Sequence, residues 1–347
     1  MNNQPNNNTD RNRELPKGFK RFLPVILAAV ILAAAVFTGL AIANHQRNVR
    51  EAAANASLAE QTQDSSDYRL IAYNGKKYEY NSDIKTILFL GVDKTGEVVS
   101  QEYPGYGGQA DTILLLLLNS SDQTANILEI PRDTMTDISI YDSNNQYYAT
   151  QNAQITLQYA YGDGASRSNW LMKNTVSDLI YSLPIESVIS LNMEGLDTVV
   201  DGIGGVTMTM DADYSYIDPS LTQGAAITMN GSLAERFTRY RDTNTSGSNL
   251  QRMSRQTLFI EAFLSQARKA SLSGSAISSL LNTADPYLTT DMDAESIKAL
   301  YSYSFNTNAS VIPGEMTQGD VYDEYHVDRD ALKDLIIQMY YKEANNQ

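Results

Sequence analysis

The chain has 347 residues, 42% of them hydrophobic, with 26 Lys+Arg against 41 Asp+Glu and a formal net charge of −15. That length holds one large or two ordinary domains with a sizeable core, and that charge works against binding a nucleic-acid backbone. The absence of Cys excludes disulfides, thiolate metal sites and Cys nucleophiles, while only two His, His45 and His326, argue against a His-built metal cluster or a Ser-His-Asp triad.

Residues 1–21 are Asn-rich and carry Arg11, Arg13, Lys17, Lys20 and Arg21 against Asp10 and Glu14, a net +3. The stretch 22–43 that follows is apolar or small apart from Thr38. As a helix rising 1.5 Å per residue it reaches about 33 Å, enough for the hydrocarbon core of a membrane. A cleaved signal peptide is the alternative, because Ala41-Ile42-Ala43 offers a small-residue cleavage site. Cations are denser before the span than after it, where Arg47 and Arg50 stand alone nearby. The positive-inside rule then sets the N-terminus in the cytoplasm and the rest outside. The expected protein is a single-pass cell-membrane protein with an extracellular C-terminal domain. Removing the tail's +3 from −15 leaves that outer part at −18. Residues 44–67 are Ala-, Gln- and Ser-rich and read as a juxtamembrane stalk, which places the domain at 68–347.

Within the domain, 84–92 (IKTILFLGV) and 112–118 (TILLLLL) are branched apolar runs that predict buried strands. The Gly- and Tyr-containing stretch 94–110 between them reads as a loop. The turn residues 120–123 (SSDQ) lead to a third strand at 125–130, so the three runs suggest an antiparallel meander. Apolar residues at i, i+3, i+4 predict helices over 154–161 and 169–182, then a strand at 187–191, a short helix at 193–200 and a strand at 206–210. Further helices are expected at 250–270, 275–283, 294–302 and 329–342, the last closing a C-terminal piece that opens with a strand. Strands with helices on both sides predict an α/β fold, an α/β/α layered domain around a mixed, largely antiparallel sheet.

Asp93 closes the first strand, Asp111 opens the second, and Arg132 and Asp133 follow the third through Pro131. In a meander these ends share one sheet edge, where Asp93 and Asp111 can hold a divalent cation, Mg²⁺ (or Mn²⁺), completed by water and phosphate oxygens. Asp residues beside strands also serve simply as turn and cap residues. A second group lies in RYRDTNTSGSNLQRMSRQ, 239–256. Arg239 and Arg241 point the same way only if extended, whereas Arg252 and Gln256 share a helix face at i, i+4. Asn249 sits where a helix cap is favoured. Arginines in pairs recognise phosphate through bidentate, always-charged donors, though a solvated face bridged to acidic neighbours is the plainer reading. Gly202, Gly204 and Gly205 precede a strand and read as a helix-to-strand turn rather than a phosphate loop. The 22 Tyr fit interface packing or sugar stacking, and His326 reads as a surface residue.

These residues resemble the LytR-CpsA-Psr family of bacterial cell-envelope proteins. The matching stretches are ILFLGVDK (87–94), ADTILLLLL (110–118), ILEIPRDTM (127–135), LNMEGLDTVVDGIGGV (191–206), MNGSLAERFTRYRD (229–242) and QRMSRQ (251–256). The resemblance implies transfer of an anionic glycopolymer, teichoic-acid-like or capsular, from a polyprenyl-pyrophosphate carrier to peptidoglycan through a new phosphodiester bond. It also implies Asp93 and Asp111 as Mg²⁺ carboxylates, Arg132, Arg239, Arg241 and Arg252 as pyrophosphate-binding arginines, Gln256 as the site glutamine, and an apolar lipid groove with candidates on 112–118 and 187–191. Asp111 and Asp133 are the candidate bases. Two positions depart from the family pattern: Gln109 stands where an Arg is usual, and Asn249 where an Asp is usual. Asp242 is a candidate replacement for that missing carboxylate. These departures give weight to the alternative, a non-catalytic envelope module that binds lipid-linked polymer or peptidoglycan.

Overall fold

A computed structural model describes residues 68–242, 248–269, 282–300, 302–306, 309–319 and 322–344. The expected tail, membrane span and stalk at 1–67 lie outside the described residues, and among those described no helix is long and apolar enough to cross a membrane. The domain begins with a hairpin that sequence patterning did not reveal, β1 (Leu70–Tyr73) and β2 (Lys76–Tyr80). Its two-residue turn, Asn74-Gly75, has positive φ at both positions, the geometry that matches strand twist and that Asn-Gly favours.

The three apolar runs form β3 (Ile84–Val92), β4 (Ala110–Asn119) and β5 (Thr124–Glu129). Both pairings are antiparallel, so the expected meander is present. β4 is apolar on both faces because both are covered. Ile113, Leu115 and Leu117 join Leu88 and Leu90 in one core, while Leu114, Leu116 and Leu118 join Ile87 and Ile127 in another. A strand buried on both sides reads as a run rather than an alternation.

The segment after β5 departs from expectation. Residues expected to open a helix at 154 instead complete a hairpin, β6 (Met135–Tyr141) with β7 (Tyr147–Gln154), followed by a single helical turn, α1 (Leu157–Ala160). β7 (YYATQNAQ) is mostly exposed until Ala153, so it carries no buried stripe to announce it. The helix expected at 169–182 is α2 (Ser166–Leu179), stopped where Tyr181 and Ser182 take positive φ.

Then follow β8 (Ser187–Asn192), α3 (Met193–Gly202), the hairpin β9 (Val206–Thr209) with β10 (Ala226–Met229), α4 (Gly231–Arg239) and α5 (Ser248–Lys269). Gly204 and Gly205 both have positive φ between α3 and β9, the expected turn. Most of the helix expected at 275–283 falls outside the described residues. Beyond it come β11 (Leu288–Thr290), α6 (Ala294–Leu300), β12 (Ser304–Phe305), β13 (Ser310–Val311), the hairpin β14 (Gly314–Gln318) with β15 (Asp323–Val327), α7 (Arg329–Tyr340) and β16 (Tyr341–Glu343). The C-terminal piece, 310–347, thus holds three strands more than expected, and β16 pairs back onto β2.

The central sheet runs β11-β8-β3-β4-β5-β12, with β13 also on β5. β8 joins β3 in parallel, so the sheet is mixed. Met172 and Val176 of α2, and Leu332 and Ile336 of α7, pack on one face. Ile260 of α5 and Leu300 of α6 pack on the other. The fold is mixed α/β with a covered central sheet. A separate apolar cluster, including Val200, Val206, Met229, Phe237 and Phe259, joins α3, β9, β10 and α4 to α5.

Candidate active site

Register explains how the carboxylates reach one edge. Gly91 lies opposite Thr112, but Val92 lies opposite Ala110, which leaves Asp111 as the extra residue of a bulge. A bulge re-aims the side chain it carries. A Cβ on Gly91 would stand 3.0 Å from Thr112 Cβ, so glycine lets the strands close at that point. Asp93 follows directly. Its N–H donates to the Gln109 carbonyl at 3.0 Å, and the Gln109 N–H donates back to Asp93 Oδ1, pinching the neck of the 94–108 loop. Gly108, at φ +87°, passes so near that a Cβ would stand 2.9 Å from Asp93 Oδ1.

Arg132 and Arg252 converge on Asp111, one on each oxygen. Arg132 Nη1 donates to Oδ1, and Arg252 Nη1 donates to Oδ2 at 3.0 Å. Arg252 is only 5% exposed, delivered by the first turns of α5. Burial works against the charge on both guanidiniums. At Arg132 the neighbouring Asp111 and Asp133 outweigh it and raise the pKa, whereas at Arg252 burial prevails and lowers it. Burial, with Asp111 beside it, pushes the Asp93 carboxyl above the ordinary carboxylate range against the Gln109 N–H and the arginines. A pocket in which carboxylates and guanidiniums are held close and poorly hydrated is ready for a strongly charged ligand.

The other sequence candidates divide. Arg239 ends α4 and donates to Glu235 at 2.8 Å, while Arg241, beyond the helix, donates to Ser248 Oγ at 3.2 Å and faces Asp323 at 3.8 Å. The helix ends between them, with Tyr240 out of the helical region, and both arginines act on carboxylates of the site, Arg239 on Asp93 and Arg241 on Asp133. Asp133 is 1% exposed and accepts from Arg132 Nε at 3.3 Å and Gln154 Nε2 at 3.1 Å. Held in that way, it keeps Arg132 in place. Gln256 donates to the Thr238 carbonyl at 3.2 Å, leaving its buried Oε1 without a partner. Asn249 stands in the first turn of α5, its side chain outside the described residues, and Asp242 lies beside Arg241.

Asp111, Arg239, Arg252 and Gln256 line a cavity of about 100 Å³. Phe89, Leu191, Leu196 and Phe259 line it as well, so charged and apolar side chains share one cavity. Of the strands expected to supply a lipid groove, only Thr112 and Leu191 contribute, because the remainder of 112–118 is core. The apolar wall comes from β3, α3 and α5 instead. Three further residues were not singled out in the sequence. Arg255 donates to the carbonyls of Phe237 and Tyr240, strapping the end of α4 to α5. Glu129, 3% exposed, accepts from Thr257 Oγ1 at 2.6 Å and ties β5 to α5. Burial pushes its carboxyl up to about 7. Gly91 was visible, since a glycine inside an apolar strand marks a bulge or a close approach.

Asp93 and Asp111 are all-oxygen donors whose crowding a divalent cation would relieve. They fit Mg²⁺ as a two-carboxylate site completed by water and phosphate oxygens, provided an incoming phosphate takes over an arginine from Asp111. Among the described residues no cluster of three or more carboxylates or His forms a self-sufficient metal site.

A family model described as the LytR_cpsA_psr family matches residues 43–340. The chain is 27% identical over 282 residues to a Bacillus licheniformis protein named polyisoprenyl-teichoic acid–peptidoglycan teichoic acid transferase TagU, covering 77% of this chain and 80% of that one. Its fold matches the crystal structure of B. subtilis TagU with a TM-score of 0.55 at 22% identity, over 76% of this chain and 100% of that one. It matches B. subtilis TagV with a TM-score of 0.57 at 18% identity, over 75% and 96%.

Proposed function

The chain belongs to the LytR_cpsA_psr family, and from that membership we propose that it transfers an anionic, teichoic-acid-like or capsular glycopolymer from a polyprenyl-pyrophosphate carrier to peptidoglycan. One observation carries the reading: a single cavity is lined by Asp111, Arg239 and Arg252 and also by the apolar Phe89, Leu191, Leu196 and Phe259. A lipid pyrophosphate joins the matching materials, a charged head and an apolar tail. The similar B. licheniformis protein is named for such a transfer of teichoic acid. The apolar stretch 22–43 supports a single-pass anchor that would keep the domain beside its lipid-linked donor, outside the cell.

In this mechanism Arg132, Arg239 and Arg252 bind the pyrophosphate and gather its negative charge as it builds. Asp93 and Asp111 would hold Mg²⁺, which when bound neutralises phosphate oxygens. The acceptor hydroxyl oxygen attacks the glycan-side phosphorus, and the bond from that phosphorus to the bridging oxygen breaks. Polyprenyl phosphate leaves, and the hydroxyl proton passes to Asp111, a carboxylate that lines the cavity. Asp133 keeps Arg132 aimed. The apolar wall of Phe89, Leu196 and Phe259 takes the lipid and excludes water. A second reading, a binding module without turnover, draws on the engagement of both Asp111 oxygens by arginine and on Asn249.

The test supplies the full chain with Mg²⁺, a polyprenyl-pyrophosphate-linked saccharide and peptidoglycan oligomers, and follows release of polyprenyl phosphate. Turnover in the wild type that vanishes in Arg132→Ala and Asp93→Ala supports the transferase. Tight donor binding without turnover supports the module, and no donor binding overturns both.

A further inference from the structure

Gln109 also lines a second cleft. It has a volume of about 580 Å³, within the roughly 300–1,000 Å³ of clefts that hold ligands. Four tyrosines line it: Tyr103 and Tyr106 from the 94–108 loop, Tyr141 from the end of β6 and Tyr161 after α1. Tyr103 is 48% and Tyr106 66% exposed, so both rings are open to a ligand.

The loop that carries these rings is moored. The Gln101 N–H donates to the Asp163 carbonyl at 2.8 Å and the Gly105 N–H to the Ala160 carbonyl at 2.7 Å. Gly107 passes so close to Gly164 that a Cβ on it would stand 2.5 Å from the Gly164 Cα. Tyr141 is fixed as well, with the Arg167 guanidinium 4.5 Å from its ring centroid and Tyr147 edge-on at 6.0 Å. The tyrosines therefore form a shaped surface, pre-organised at low entropic cost.

Charge separates this cleft from the transfer cavity. No Lys or Arg is among its lining residues. Its one carboxylate, Asp142, accepts from the N–H groups of Asn144 at 2.8 Å and Gln146 at 2.9 Å, bonds that cap the β6–β7 turn. The cations nearest it are already engaged, Arg167 over the Tyr141 ring and on the Asn145 carbonyl, and Lys94 on the Tyr106 carbonyl at 2.7 Å. A saccharide of neutral sugar rings, with apolar C–H faces and polar edges, finds aromatic faces with hydroxyl tips. Gln109 lines the cleft while its backbone clasps Asp93, so a ligand in the cleft ends beside the metal and phosphate residues.

We propose that this tyrosine cleft is the subsite for the acceptor, a glycan strand of amino sugars, held so that one of its hydroxyls meets the phosphorus at Asp93 and Asp111. The assignment rests on the transferase reading above and adds where the acceptor lies.

The test measures two ligands on the full chain, an undecorated peptidoglycan tetrasaccharide and inorganic pyrophosphate, in the wild type, Tyr103→Ala/Tyr106→Ala and Tyr106→Phe. The double variant is expected to lose tetrasaccharide affinity by about tenfold or more per ring removed, while Tyr106→Phe, which keeps the ring, stays within a fewfold. Pyrophosphate binding should be equal in all three, which also shows that the double variant is folded. Unchanged tetrasaccharide affinity in the double variant, or none in the wild type, overturns the subsite. Pyrophosphate that fails to bind the wild type overturns the transferase reading instead, and tyrosine-dependent glycan binding in that case still supports a glycan site.

Discussion

The two pockets are built from opposite materials. In the cavity lined by Asp111, guanidiniums and carboxylates are buried against one another beside apolar side chains. In the cleft lined by Gln109, Tyr103 and Tyr106 are exposed and Tyr141 and Tyr161 half-buried, with their few charged neighbours already occupied. The first is costly to assemble, because each buried charge must be answered by another. The second costs little and depends on the mooring of one loop. The comparison teaches that damage to the first should register in stability and chemistry together, whereas damage to the second should register only in recognition.

The sharpest way to break that contrast is Asp111→Asn. It strips the shared counter-charge from Arg132 and Arg252, so unfolding in urea is expected to show a loss of about 3–5 kcal/mol. Pyrophosphate binding without metal should nonetheless tighten, because two arginines are released to the ligand, while turnover disappears. Unaltered stability would show that the charges are better hydrated than the geometry indicates.

Glu129 tests the same pocket through pH. Its carboxyl is raised from 4.5 up to about 7, with burial the cause, so the folded chain holds that proton more tightly than the unfolded chain. Its stabilising contribution is fully present below the unfolded value and is lost as pH rises through the folded one, about 3 kcal/mol in all. Glu129→Gln keeps an acceptor for Thr257 and removes the titration. Urea midpoints should then change less between pH 5 and pH 8 in the variant than in the wild type, and at pH 8 the variant should be the more stable. A smaller effect is expected of Gly91→Ala, which presses a methyl against Thr112 at the bulge and should cost about 1–3 kcal/mol along with activity. The smallest concerns the second pocket: Tyr106→Ala should leave the urea midpoint within about 0.5 kcal/mol of the wild type, as for an exposed residue, while weakening glycan binding.

What the sequence disclosed follows the same division. Runs such as IKTILFLGV and TILLLLL announced the strands at the middle of the sheet because both of their faces are buried. Once those runs form a meander, the meeting of Asp93, Asp111 and Arg132 at one edge is a matter of topology. The β6–β7 hairpin stayed hidden because its exposed residues carry no periodic apolar stripe, and its last residues read as the start of a helix. The apolar wall was misplaced onto strands whose side chains are spent on the core. For the tyrosines, sugar stacking was legible as one of two readings, but the cleft that gathers them was not. Its rings are spread from residue 103 to 161, and what gathers them is the contact of two glycines, Gly107 and Gly164, which leaves no mark in periodicity or charge.

The central claim is that the charged cluster and the apolar cavity are one site for one amphipathic ligand. Calorimetric titration of the full chain with inorganic pyrophosphate and with a short polyprenyl pyrophosphate, in the wild type, Arg132→Gln and Leu196→Glu, tests it directly. The account predicts that Arg132→Gln weakens both ligands alike, and that Leu196→Glu weakens only the one with a tail. A tail that adds no affinity in the wild type, or a Leu196→Glu variant that binds both ligands as the wild type does, would contradict it.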